Sequence, residues 1–100
     1  MCGIAGFFGT NHESEAHDTV QRMLAAIAHR GPDGNGINRF PDAALGHVRL
    51  AIIDLAGGSQ PMATADQRLH ISYNGELYNY RELRAELIGL GHVFQTQSDT

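Results

Sequence analysis

Met1-Cys2-Gly3-Ile4-Ala5-Gly6 opens the chain, and Cys2 is its single cysteine. The segment supports two readings. From Gly3 to Phe8 small and bulky apolar residues alternate as far as Gly9, which predicts a buried first strand. A free cysteine is among the most buried residue types, so a structural Cys2 at the head of that strand is one reading. The other is chemical. Once Met1 is clipped, Cys2 carries a thiol and the free α-amine on the same residue. An α-amine titrates at roughly 7.7–8.0, close enough to neutrality to accept a proton from the thiol and return it to a leaving group. A thiol of ordinary pKa, about 8.5, needs such help because only a few per cent of it is thiolate at pH 7. The rest of the chain decides between the two.

The 100 residues are 42% hydrophobic and 18% charged, which fits one folded domain or part of one. Net charge is −4 and the seven basic residues are scattered, a pattern without the basic footprint of a nucleic-acid binder. A lone cysteine forms no internal disulfide and suits a reducing compartment. The start has neither a basic n-region nor a continuous apolar h-region, and no run approaches the roughly 18 apolar residues of a membrane span. The expectation is a cytoplasmic protein with no membrane and no nucleic-acid partner.

Val20, Met23, Leu24 and Ile27 fall on one face of a helix, and Gly31-Pro32 follows as its stop. Residues 31–42 hold three glycines and two prolines and predict a loop. Ala44 to Ile53, rich in Val and Ile, predicts a strand, and Gly57-Gly58 and Pro61 then break the chain. Leu69, Ile71 and Tyr73 alternate with polar residues as in a half-buried strand. Tyr80, Leu83, Leu87 and Leu90 predict a second amphipathic helix, with Asn79 and Glu82 spaced as a capping box and Gly91 as its stop. Val93 to Thr96 would begin a further strand. Strands and helices in this order do not alternate as a doubly wound fold does, so the fold class is α+β with antiparallel pairing.

Several segments could carry chemistry. His29-Arg30-Gly31-Pro32-Asp33-Gly34 is either a helix end with cations and a glycine cap or a ligand-contacting loop. Arg49, inside an apolar strand, either emerges on a wet face or grips a carboxylate with its two-pronged guanidinium. Asn74-Gly75 is a hairpin turn or, since a helix follows it, an oxyanion hole made of an amide side chain and a backbone N–H. Glu76 and Asp99 could hold an ammonium group. The six histidines show no metal-binding spacing and the single cysteine gives no knuckle, so no metal site is expected. Gly57-Gly58-Ser59 is too short for a phosphate loop and lacks the lysine.

Met1-Cys2-Gly3-Ile4-Ala5-Gly6, His29-Arg30-Gly31-Pro32-Asp33, Arg49-Leu50-Ala51-Ile52-Ile53-Asp54, Asn74-Gly75-Glu76-Leu77-Tyr78-Asn79 and Ser98-Asp99-Thr100 occur in one order and spacing. This set resembles the N-terminal glutaminase domain of the glutamine-hydrolysing asparagine synthetases, a branch of the class II glutamine amidotransferases. The Gly-Pro-Asp after His29-Arg30 points to that branch rather than to glucosamine-phosphate synthase or phosphoribosyl-pyrophosphate amidotransferase.

The resemblance implies an N-terminal nucleophile hydrolase, with antiparallel sheets sandwiched between helices and residues 1–100 as the N-terminal portion of the domain. It implies that Cys2 attacks the side-chain amide of glutamine, and that Asn74 and Gly75 form the oxyanion hole. Arg49 would then clamp the substrate carboxylate, backbone groups of Leu50, Ala51, Ile52 and Ile53 would line the pocket, and Glu76 and Asp99 would receive the ammonium. The ammonia would pass to a synthetase domain outside these residues, where ATP and magnesium serve the conversion of aspartate to asparagine. No cofactor is implied for this chain, and a homodimer is compatible with the complete protein. Two alternatives stay open here, an amidotransferase of the same branch with a different acceptor and a non-catalytic glutamine-binding relic.

Overall fold

The first half of the chain is organised around its third strand. The computed structural model describes residues 1–9, 12–51 and 56–100. In it β1 (Gly3–Phe8) leads to helix α1 (Glu13–Ala26), a 3₁₀ turn (Ala28–Arg30), β2 (Gly34–Phe40) and β3 (Ala43–Arg49). β3 runs between the other two strands and pairs antiparallel with both. A two-stranded antiparallel ribbon of β4 (Met62–Ala63) and β5 (His70–Ile71) follows, and helix α2 (Tyr80–Gly89) comes last. The expected α+β class with antiparallel pairing is the class observed.

Side chains alternate along β3, so its two faces have different work. Ala44, Gly46 and Val48 face α1. There Ala16, Val20 and Leu24 complete the buried core, with Ala5, Phe7, Ile27 and Ile37 packed around it. Met23, which the helical stripe included, is instead 40% exposed, because Ala16 and Val20 take the inner line. Small residues set how closely the helix lies on the sheet. A Cβ on Gly46 would stand 2.6 Å from Val20 Cγ1 and 2.9 Å from Leu24 Cδ1.

The opposite face of β3 presents His47, which is fully buried. Its Nδ1 lies 2.9 Å from Ser72 Oγ, and Ser72 Oγ donates to the Gly46 carbonyl at 3.1 Å. The serine proton is committed to that carbonyl, so the serine oxygen accepts from an Nδ1–H. The ring is thereby fixed as the neutral Nδ1–H tautomer. Its Nε2 is buried and has no hydrogen-bond partner among the described residues. Burial, and secondarily the Arg49 charge, hold the His47 pKa below the usual histidine value.

Several sequence expectations give way to the structure. Most of the expected loop over residues 31–42 is β2. Glycine in a strand can mark close approach of another chain rather than a loop, and a Cβ on Gly36 would overlap the Gln60 carbonyl. Gly31 is not a left-handed cap, since its φ is −146°. It is glycine because a side chain there would overlap the Val48–Arg49 backbone. The strand expected over Ala44–Ile53 ends at Arg49, and Ile52 and Ile53 lie outside the described residues. The strand expected over 69–73 shrinks to His70–Ile71, because Ser72 and the Tyr73 N–H bond to side chains and carbonyls off the ladder.

Val93–Thr96 forms no strand. The Arg84 guanidinium stacks 4.7 Å from the Phe94 ring centroid and donates through Nη1 to the Thr96 carbonyl, so α2 claims this stretch through side chains. Asn79 precedes α2 without a side-chain cap bond. Its ψ of 27° departs from the extended geometry that capping requires. No strand follows Asn74-Gly75, so the hairpin reading of that pair falls as well.

Two outcomes test this packing. Gly46→Ala should lower stability by about 1–3 kcal/mol through overpacking against Val20 and Leu24, read from the midpoint of urea unfolding. An unchanged midpoint would mean that α1 is not seated on β3 as described. For His47 the folded pKa is depressed, so the unfolded chain binds the extra proton first. Its contribution is then fully present above the unfolded value of about 6.5 and is lost as pH falls through the folded value. The melting temperature should therefore decline below pH 6.5, and less steeply in His47→Gln. Equal slopes in the two proteins would remove His47 from the account.

Candidate active site

The register of β1 on β3 pairs Gly3 with Val48, which brings the residue ahead of β1 beside the residues that end and follow β3. Cys2 is accordingly held by three contacts. The Leu50 N–H donates to Cys2 Sγ at 3.3 Å, the thiol lies 3.6 Å from the Leu50 carbonyl, and Arg30 Nε donates to the Cys2 carbonyl at 3.1 Å. Cys2 is half-buried and in no disulfide. It is therefore neither a sealed core residue nor a loose surface one.

Arg49, the last residue of β3, is half-buried. Its guanidinium rests on Gly58, where an added Cβ would overlap Nη2. Across from it runs the 73–76 segment, tethered at its start by Tyr73 N–H to Gln60 Oε1 at 2.6 Å. Gln60 in turn donates from Nε2 to Thr100 Oγ1 at 3.0 Å.

These parts enclose a cavity of about 310 Å³, at the lower end of the roughly 300–1,000 Å³ range of small-molecule sites. Cys2, Arg49, Leu50, Asn74, Gly75 and Glu76 line it, together with Met1, Gln60, Tyr73, Tyr78 and Thr100. A nucleophilic sulfur, an amide, a cation and a carboxylate thus share one small space. Among the described residues no hydrogen bond engages the Asn74 side chain, so its amide is available to a ligand. Arg49 and Glu76 give the cavity one charge of each sign, which suits a zwitterion. Among the described residues no group of three or more His, Cys, Asp or Glu could hold a metal.

Not every residue expected at the site reaches the cavity wall. The Ala51 N–H donates to Asp33 Oδ2 at 2.9 Å, outside the lining. Asp99 accepts the Leu77 N–H through Oδ2 at 2.8 Å, which anchors the peptide next to Glu76 from behind. Ile52 and Ile53 fall outside the described residues. The His29–Asp33 segment supports the site without lining it, Arg30 holding the Cys2 carbonyl and Asp33 the Ala51 N–H. Residue-level reading missed Gln60, Tyr73, Tyr78 and Thr100. Gln60 beside a proline and Tyr73 beside Asn74 were the available signals, and neither residue type announces a binding role alone.

A family model described as a glutamine amidotransferase domain matches residues 1–100. Among similar proteins, an asparagine synthetase [glutamine-hydrolyzing] of Triphysaria versicolor is 44% identical over 100 residues, covering 99% of this chain and 17% of that protein. Asparagine synthetase [glutamine-hydrolyzing] 1 of Bacillus subtilis (strain 168) is 40% identical over 103 residues, covering 100% and 16%. An asparagine synthetase [glutamine-hydrolyzing] of Sandersonia aurantiaca is 43% identical over 100 residues, covering 99% and 19%. The chain therefore spans less than a fifth of the length of these relatives.

Proposed function

The chain belongs to the glutamine amidotransferase domain family, and we propose that it hydrolyses the side-chain amide of glutamine to glutamate and ammonia. The observation that supports this most is the meeting of Cys2, Asn74, Gly75, Arg49 and Glu76 around one cavity. With Met1 removed, the α-amine of Cys2 takes the thiol proton and the thiolate attacks the δ-carbon of glutamine. The charge that develops on the amide oxygen is met by the Asn74 amide and the Gly75 N–H. Collapse of this intermediate breaks the C–N bond, and the α-ammonium returns its proton to the departing ammonia. Water then attacks the γ-glutamyl thioester, releasing glutamate and restoring the thiol.

Arg49 takes the substrate carboxylate with two parallel hydrogen bonds, which a lysine could not reproduce. Glu76 takes the ammonium, and Asp99 adds negative charge on the same side while fixing the adjoining peptide. The reading extends to an N-terminal nucleophile hydrolase architecture, and to a synthetase domain that accepts the ammonia, the latter supported by the relatives' names. In that domain ATP and magnesium would serve the conversion of aspartate to asparagine. The cytoplasm is the proposed compartment, and a homodimer the proposed assembly of the complete protein. No helix of the described residues is long and apolar enough to cross a membrane.

Glutamate release from glutamine is the direct assay. Cys2→Ala should abolish it while glutamine binding, followed by calorimetry, is retained, and mass spectrometry of active protein should find Cys2 as the first residue. An active protein that retains Met1 would sink the α-amine mechanism. Asn74→Ala should lower kcat about 10²–10³-fold with KM little changed, since the lost donor acts on charge that forms only in the transition state. A change confined to KM would make Asn74 a ground-state contact.

A further inference from the structure

Tyr73 lines the cavity but has no part in the mechanism above. Its main chain is fixed at its N-terminal side. The Tyr73 N–H is bonded to Gln60 Oε1 at 2.6 Å, and Ser72 is bonded to His47 and to the Gly46 carbonyl. From this fixed root the side chain folds back over Gly75. A Cβ built on Gly75 would meet Tyr73 Oη at 2.7 Å and Cζ at 2.8 Å. The phenol occupies the space that a side chain at position 75 would enter.

The hydroxyl is placed without being used. Tyr73 is half-buried, and its Oη, which is not sealed from solvent, makes no hydrogen bond to any described residue. It lies where a Gly75 side chain would begin, and Tyr73 lines the cavity together with Cys2 and Asn74. A phenol there offers an O–H to whatever oxygen the Gly75 N–H and the Asn74 amide address.

We propose that Tyr73 Oη is a third hydrogen-bond donor to the side-chain carbonyl oxygen of glutamine, acting beside Asn74 and Gly75 as charge develops there. The assignment rests on the glutaminase reading of the cavity. It makes Tyr73 a catalytic residue rather than a wall, and the two roles separate in one substitution. Tyr73→Phe keeps the ring over Gly75 and removes only the hydroxyl, which has no partner among the described residues.

Steady-state glutaminase kinetics and thermal unfolding of Tyr73→Phe and the unsubstituted protein form the test. The expected result is a loss of about 10-fold or more in kcat, KM within twofold and an unchanged melting temperature. A kcat within twofold of the unsubstituted protein, or a loss carried by KM alone, would overturn the proposal and leave the glutaminase reading intact. A lowered melting temperature would also overturn it, by showing that the hydroxyl serves the fold. An unsubstituted protein that releases no glutamate would remove the glutaminase reading, and this assignment with it.

Discussion

The antiparallel register of β1 on β3 is the constraint from which the rest follows. Because Gly3 pairs with Val48, the residue ahead of the first strand is delivered to Arg49 and Leu50 at the end of the third. Side chains alternate along a strand, so a slip of one residue would exchange the faces and carry Cys2 away from its contacts. The register is guarded on both sides. Ala5 and Phe7 pack toward α1 on one face, and on the other His47 is sealed beneath Ser72. Formation of this register and assembly of the surroundings of Cys2 are therefore coupled.

β3 packs against α1 on one face and carries Arg49 to the cavity on the other. Ala44, Gly46 and Val48 are small enough for α1 to lie close, and this anchors the strand as the rigid centre of the domain. The reverse face holds a buried neutral imidazole and, two residues on, a guanidinium at the cavity. The two are electrostatically opposed, since the positive charge at Arg49 disfavours a second one at His47. A neutral His47 thus lets the site keep its cation without repulsion from beneath.

Periodicity made β1, α1, β3 and α2 legible, because each shows a regular apolar pattern of its own. β2 was illegible for a definite reason. Its Gly36 answers to a distant segment of the same chain at Gln60, a contact no local pattern reports. The reverse held at Val93–Thr96, where a strand-like sequence is captured by the Arg84 side chain. The site was legible as a set of spaced motifs, and Cys2, Arg49, Leu50, Asn74, Gly75 and Glu76 do meet at one cavity. Asp99, expected to meet the ammonium, accepts the Leu77 N–H, and Ala51, expected to line the pocket through its backbone, donates to Asp33. Spacing along a chain does not distinguish a residue that touches a ligand from one that braces its neighbour.

The cavity is built from two unlike walls. The wall of Cys2 and Arg49 belongs to the core sheet, whereas Glu76 leads into α2, a helix with no buried residue. Opening free energies within one molecule follow such differences in packing, from near zero at thinly packed elements to the global value in the core. Amide protons of α2 are therefore the earlier to exchange with solvent, and those of β3 the last. A zwitterionic ligand spanning both walls would meet a rigid seat at its carboxylate end and a compliant one at its ammonium end. Its binding would tighten the weaker wall, drawing α2 into the cooperative unit that β3 anchors.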